Sequence, residues 1–334
     1  MAERTIRQGG PLPRVRLSQE GVVFALAALL FLGFSVTLSN FLTAGNVLSL
    51  VRSVSILGIL SLGMGLVVVG RGIDLAMVAT MVVAVAWAMV LSNTVFPLGL
   101  ALLLGAVFVV FMGMLTGVIV AYAEIPAIFT TLAMGSIVYG IGRTVFFRID
   151  VQNSPNGYGW FDFIGHGNVA SIPAPILAFA AVALVLLAVL RGTRFGRFVY
   201  AAGDNPLAAR ITGIPTRVIT VAQYVASGLI AYLAGIVMAA AVSGMNTRIY
   251  NSTMIYDVLL VVVLGGIGLS GGRGGVRNVL VGTALVGVLL NGMTIMNVDY
   301  IAQNLIKSVI LLVAIMIDTI VNPRDEQTAQ QGDI

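Results

Sequence analysis

Ten stretches of this 334-residue chain are apolar over most or all of the length of a bilayer-crossing helix, and few charges interrupt them. They fall at 21–39, 47–69, 74–91, 97–121, 127–147, 173–190, 217–242, 255–269, 278–296 and 304–321, with glycines breaking the second and eighth. A crossing helix needs about 20 mainly apolar residues, with a range of about 17–25. Backbone polar groups in hydrocarbon must be paired inside the protein, which leaves such a chain little choice but a bundle of spanning helices. The expected fold class is an all-α polytopic membrane protein of about ten transmembrane helices.

Composition narrows the chemistry further. Hydrophobic residues make up 59%, charged residues 9%, and mean hydropathy is +1.04, against roughly half apolar and about a quarter charged in a soluble domain. The chain has no cysteine and one histidine, His166, so disulfides, thiol nucleophiles and Cys or His metal clusters are excluded. The sequence pI is near 9.8, yet the basic residues form neither one face nor one run, so no nucleic acid partner is expected.

Those basic residues instead mark the sides of the membrane. If the N-terminus is inside, thirteen arginines fall in cytoplasmic stretches: Arg4, Arg7, Arg14, Arg16, Arg71, Arg191, Arg194, Arg197, Arg210, Arg217, Arg273, Arg277 and Arg324. Only two, Arg148 and Arg248, fall outside. An excess of Lys and Arg on cytoplasmic loops sets orientation, so both termini are expected in the cytoplasm. Arg52, Arg143 and Lys307 sit near helix ends, where long side chains reach the interface. The apolar run after residue 20 exceeds the ~7–15 residues of a signal-peptide core and lacks an A-x-A site. It reads as a retained helix behind a cytoplasmic tail, 1–20. The domain expected over 21–321 is a transmembrane helix bundle, and 322–334 is a second cytoplasmic tail.

Two connections are long. The external one, 148–172, reads RIDVQNSPNGYGWFDFIGHGNVASI and is either an aromatic interfacial loop or a docking surface for an external partner. The cytoplasmic one, 191–216, contains Asn205-Pro206, a helix-start signal, followed by LAARI, Gly213 and Pro215. That pattern predicts a short helix on the cytoplasmic face, suited to a soluble partner that pushes on it.

Catalytic constellations are missing. There is no H-E-x-x-H, G-x-S-x-G or G-x-x-x-x-G-K-[ST], and Ile306 precedes the sole lysine, Lys307, where a P-loop has glycine. No enzyme activity is expected of the chain. Glu20, Glu124, Asp257, Asp299 and Asp318 all fall near expected helix ends, and only Asp74 lies inside a glycine-broken motif.

Four ordered stretches are similar to the permease subunits of bacterial sugar ABC importers of the ribose/xylose/arabinose type. They are GRGIDLA (70–76), IPAIFTTLAMGSIVYG (125–140), GRFVYAAGDNPLAARITGI (196–214) and VLLVVVLGGIGLSGGRGGVRNVLVGTALVGVLLNGM (258–293). The resemblance implies an inner-membrane, multi-pass permease that works as a homo- or heterodimer among membrane lipid and receives sugar from a periplasmic binding protein. It implies a cytoplasmic ATPase subunit that carries ATP and Mg, with no cofactor in this chain. It also assigns Gly203, Asp204, Asn205, Pro206, Leu207, Ala208, Ala209, Arg210 and Gly213 to the contact with that ATPase. Departures from the family pattern are Leu207 for an acidic residue, Arg71 for glycine, Ala76 for serine, and Gly268 for a small polar residue.

Two of these stretches echo each other: VVVGRGIDLA (67–76) and VVVLGGIGLS (261–270). Six expected crossings separate the copies, which places both toward the cytoplasmic side as similar glycine turns. Asp74 is either only a helix N-cap, with Arg71 an interfacial anchor, or part of a broken helix facing a translocation path. Candidate path residues are Gly72, Asp74, Thr130, Thr131, Gln223, Tyr224, Ser227, Gly265, Gly266, Asn291 and Thr294. The polar ones among them serve equally as interhelical hydrogen-bond partners. The expected function is sugar or polyol import by alternating access driven by a separate ATPase, the alternative being an ATP-independent carrier or channel.

Overall fold

The computed structural model describes residues 19–321, with side chains from 20 to 319. The tails expected over 1–20 and 322–334 lie outside it except for Gln19 and Glu20, and so do Arg4, Arg7, Arg14, Arg16 and Arg324. The described chain is a helical bundle. In order come α1 (Gln19–Thr37), α2 (Ala44–Val69), α3 (Met77–Thr94), α4 (Leu98–Tyr122) and α5 (Ala127–Ile141), which a wider turn continues to Phe146. After a short strand β1 (Val151–Asn153) follow α6 (Gly159–His166), the hairpin β2 (Asn168–Val169) and β3 (Ile172–Pro173), and α7 (Ala174–Gly192). Then come α8 (Arg194–Asp204), α9 (Pro206–Ile211), α10 (Thr216–Ala241), β4 (Gly244–Asn246), α11 (Met254–Leu264), α12 (Val276–Ile295) and α13 (Tyr300–Val321).

Nine helices among the described residues are long and apolar enough to cross a membrane. The stretch expected to be the eighth crossing, 255–269, is helical only to Leu264 and gives way to glycine turns. That part of the chain reaches across by a helix plus a turn, and hydropathy cannot distinguish the two.

The core follows from which helices are apolar on all sides. From Met77 to Ala86 every residue of α3 is buried, the behaviour of a helix with no polar face. Helix α10 packs on α2, α3 and α4. The α4 contact is close because Gly113 and Gly117, a small-xxx-small pair, lie against the backbone of Val225 and Val221. Helices α1 and α13 lie at the periphery against α12 and α11.

Both described ends lie on one face. Glu20, Arg191, Tyr200 and Arg277 border a common pocket, and Asp318 near the end of α13 accepts from the Leu269 amide at 3.3 Å. At the opposite end β1 pairs antiparallel with β4, Val151 against Asn246. There Asp150 holds Arg143 and Arg248, each at 2.7 Å. The two long connections are therefore at opposite ends of the bundle, and the one over 148–172 is folded: Phe161 of α6 is buried while Trp160 is half exposed.

Candidate functional site

The two echoed phrases terminate their helices in the same way and then touch. At the end of α2 the Arg71 amide donates to Val68 O and the Gly72 amide to Val67 O, both at 2.9 Å. At the end of α11 the Gly266 amide donates to Val263 O at 3.0 Å and the Ile267 amide to Val262 O at 3.1 Å. This crossed pair of bonds is the Schellman ending, whose key residue is left-handed and usually glycine. Gly266 has φ +89°, and Arg71 adopts φ +68° in the equivalent place.

A left-handed residue with a side chain is strained by roughly 1–2 kcal/mol. Arg71 sits there and donates from Nε to Ser270 O at 2.9 Å, while the Gly272 amide donates to Val69 O at 2.8 Å. The second turn is itself closed by Asn278, whose amide donates to Gly265 O at 2.8 Å. Two helix–turn–helix hairpins, α2–α3 and α11–α12, thus meet tip to tip.

Helix α10 fixes the depth of this junction. Ser227 donates to Asp74 Oδ2 at 2.8 Å, and Asp74 Oδ1 accepts from the Ala76 amide at 3.2 Å. Gln223 donates to Leu66 O at 3.2 Å, and the Tyr224 hydroxyl reaches Ile73 O at 3.5 Å. Ser227 is eleven residues beyond Thr216, the start of the 26-residue α10, hence about 16 Å along its axis. Asp74 and Ser227 are thus partway along α10, while the second turn lies at the face that carries both described ends, where Asp318 holds Leu269 and Gly274 borders a pocket with Glu20 and Arg277. Asp74 is buried and precedes α3, whose capping residue is Ala76, so it is an interhelical anchor to Ser227 as well as a turn acceptor.

From the other side α8 abuts the same junction. Tyr200 donates its hydroxyl to Gly274 O at 2.8 Å. Its burial raises the phenol's pKa, an effect opposed by Arg191, so Tyr200 remains a donor. Gly203 lies against Val69 O and the Gly272 amide so closely that a Cβ would overlap both. Asp204 backs onto Gly272. The chain then turns into α9, capped by Asn205, whose Oδ1 accepts from Ala208 N at 3.0 Å, with Pro206 at its first position. It ends at left-handed Gly213, φ +83°. Ala209 is buried, Arg210 Nε donates to Thr216 Oγ1 at 3.2 Å, and Leu207 and Ile211 are exposed on the outer side.

A model of the family described as branched-chain amino acid transport system / permease component matches residues 46–317. The chain belongs to this permease family. Among curated relatives it is similar to the ribose import permease protein RbsC of Escherichia coli strain K12, 32% identical over 304 residues, covering 88% of this chain and 92% of that one. RbsC of Bacillus subtilis strain 168 is 31% identical over 281 residues, 84% and 86% of the two chains. The L-arabinose transport system permease protein AraH of E. coli K12 is 30% identical over 299 residues, 89% and 88%. No solved structure matches. With nine apolar helices among its described residues, the permease is a multi-pass protein of the inner membrane.

The path residues expected from sequence do not form one group in the permease. Gly72, Asp74, Gln223, Tyr224 and Ser227 come together at the junction, and Gly265 and Gly266 form the facing turn. Thr130 and Thr131 are buried on α5, with Thr131 bonded back to Ala127 O at 2.8 Å. Asn291 exchanges amide bonds with Asn46 at 2.8 and 2.9 Å, a clasp between α12 and α2 near the other end of the bundle. Thr294 bonds to Leu290 O at 2.9 Å and is exposed.

Several contacts were not legible beforehand. Tyr200 links α8 to the second turn, and Ser270 and Gly272 link the two turns to each other; only their glycine-rich context hinted at them. Lys307 Nζ lies 2.7 Å from Asp257 Oδ1 with its side chain 8% exposed, where an interfacial, snorkelling lysine was expected. It is a buried ion pair between α11 and α13, a partnership that sequence distance conceals.

Proposed function

We infer that this permease is the membrane subunit of an ATP-driven importer that passes a sugar or polyol across the inner membrane by alternating access. The observation that carries the reading is the contact of α8 with both glycine turns through Gly203 and Tyr200. A push on the α8–α9 segment has a backbone route to the junction of the two turns, and a packed junction of this kind switches between discrete arrangements. The relatives named for ribose and L-arabinose support the solute class.

The energy source is a separate cytoplasmic ATPase subunit holding ATP and Mg, since the sequence carries no P-loop of its own. Leu207 and Ile211, 46% and 86% exposed on one side of α9, offer that subunit an apolar contact in place of an acidic one. The arginine count puts this face in the cytoplasm. A periplasmic binding protein delivers solute to the β1–β4 end, and a second permease copy completes the pathway.

Reconstitution tests the reading. Liposomes carrying the permease, its ATPase and its binding protein should accumulate radiolabelled sugar only when ATP is enclosed. Accumulation by the permease alone would make it an ATP-independent carrier instead.

A further inference from the structure

We propose that the cavity between α3, α5 and the start of α11 is a transient seat for one monosaccharide, contacted by Asn251 and Tyr256, immediately outside the glycine-turn junction. This rests on the sugar-importer reading. The cavity has a volume of about 280 Å³, just under the roughly 300–1,000 Å³ of drug-sized sites, a size suited to a smaller solute. One part of its wall is Leu75, the neighbour of Asp74, and another is Gly135, whose backbone lies beside Ala76. It therefore reaches the first glycine turn, on the side away from α8.

The walls carry the chemistry that a sugar requires. Tyr250 is held in place by stacking on Tyr139, ring centroids 4.4 Å apart and 25° between planes, and by a 3.3 Å hydroxyl contact with Ser136. Asn251 is exposed and its amide makes no hydrogen bond within the described residues. Tyr256, also at the cavity, is 55% exposed with its phenol likewise unbonded. Unpaired polar groups facing hydrocarbon are costly, so a wetted cavity explains them better than lipid does. Aromatic faces and an amide match the apolar C–H faces and hydroxyls of a sugar.

The lining carries no charged side chain, and the nearby Asp257 and Lys307 neutralise each other. That favours an uncharged solute over an amino acid, whose carboxylate and ammonium both need partners.

The test uses the full complex with ATPase and binding protein in liposomes, comparing wild type with Asn251→Ala, Tyr256→Ala and Tyr256→Phe. Uptake of labelled D-ribose, L-arabinose and L-leucine is measured per assembled complex. Wild type should take up at least one of the sugars. In the two alanine variants the rate at low sugar concentration should fall about five- to tenfold, the loss of one hydrogen bond or ring contact. Tyr256→Phe, which keeps the ring, should lose less than Tyr256→Ala, and binding-protein-stimulated ATP hydrolysis should persist in all three variants. Sugar uptake at the wild-type rate in both alanine variants overturns the seat while leaving the importer reading intact. Uptake of L-leucine and of neither sugar overturns the sugar-importer reading itself. Loss of ATP hydrolysis in parallel with uptake would assign the two residues to assembly and also overturn the seat.

Discussion

Arg71 donates from Nε to the carbonyl of Ser270 at 2.9 Å, so the two echoed phrases of this chain are fastened to each other. The arginine does this from a left-handed backbone position, φ +68°. Arg71→Gly relieves the backbone and loses the clamp, two effects that nearly cancel. Arg71→Ala keeps the strain and loses the clamp, so it should be less stable than Arg71→Gly by about 1 kcal/mol. Thermal unfolding of the two variants in detergent measures the difference, and equal stability would remove the case for backbone strain at this position.

Ser227→Ala leaves Asp74 Oδ2 without its 2.8 Å donor at a buried site. The cost should be about 1–3 kcal/mol, the penalty of an unsatisfied buried acceptor. Asp74→Asn retains an acceptor for Ser227 and should be milder. A double-mutant cycle in detergent gives the coupling, and additive effects would mean that the pair does not act as one.

Gly203→Val forces a side chain into the Val69 carbonyl, which must push α8 off the turns. The variant should insert and still bind the ATPase subunit through α9, yet lose nearly all ATP-driven uptake. Tyr200→Phe removes only the 2.8 Å bond to Gly274 and should lower uptake per ATP hydrolysed by a smaller factor. Unchanged coupling in both would show that force does not pass through α8.

Lys307→Met strands Asp257 beside a vanished cation in a largely buried site. Breaking such a pair from one side costs about 3–5 kcal/mol. Adding Asp257→Leu should recover most of it, read as a melting temperature that falls in the single variant and rises again in the double.

The absence of cysteine makes sidedness directly measurable. Ile211→Cys, 86% exposed in the native side chain, and Trp160→Cys, 49% exposed, lie at opposite ends of the bundle. In intact cells an impermeant maleimide should label only the Trp160 variant, with Ile211→Cys reacting after permeabilisation. The reverse pattern would invert the orientation drawn from the arginines.

Hydropathy and glycine spacing determined much of this protein: a helical bundle, where nine of its ten expected crossings fall, the short helix after Asn205-Pro206, and two similar glycine endings. These are local properties, since apolar run length, capping residues and Gly–Pro signals act within a few residues. Tertiary structure alone decided that α11 stops at Leu264, that the two endings meet, and that Asp74 belongs with Ser227, 153 positions away. It also paired Lys307 with Asp257 and Asn291 with Asn46. In crossing helices that are apolar on most sides, periodicity scarcely distinguishes one helix face from another. Which polar groups find each other is therefore set by how the helices pack, and that information is not carried in any single stretch of sequence.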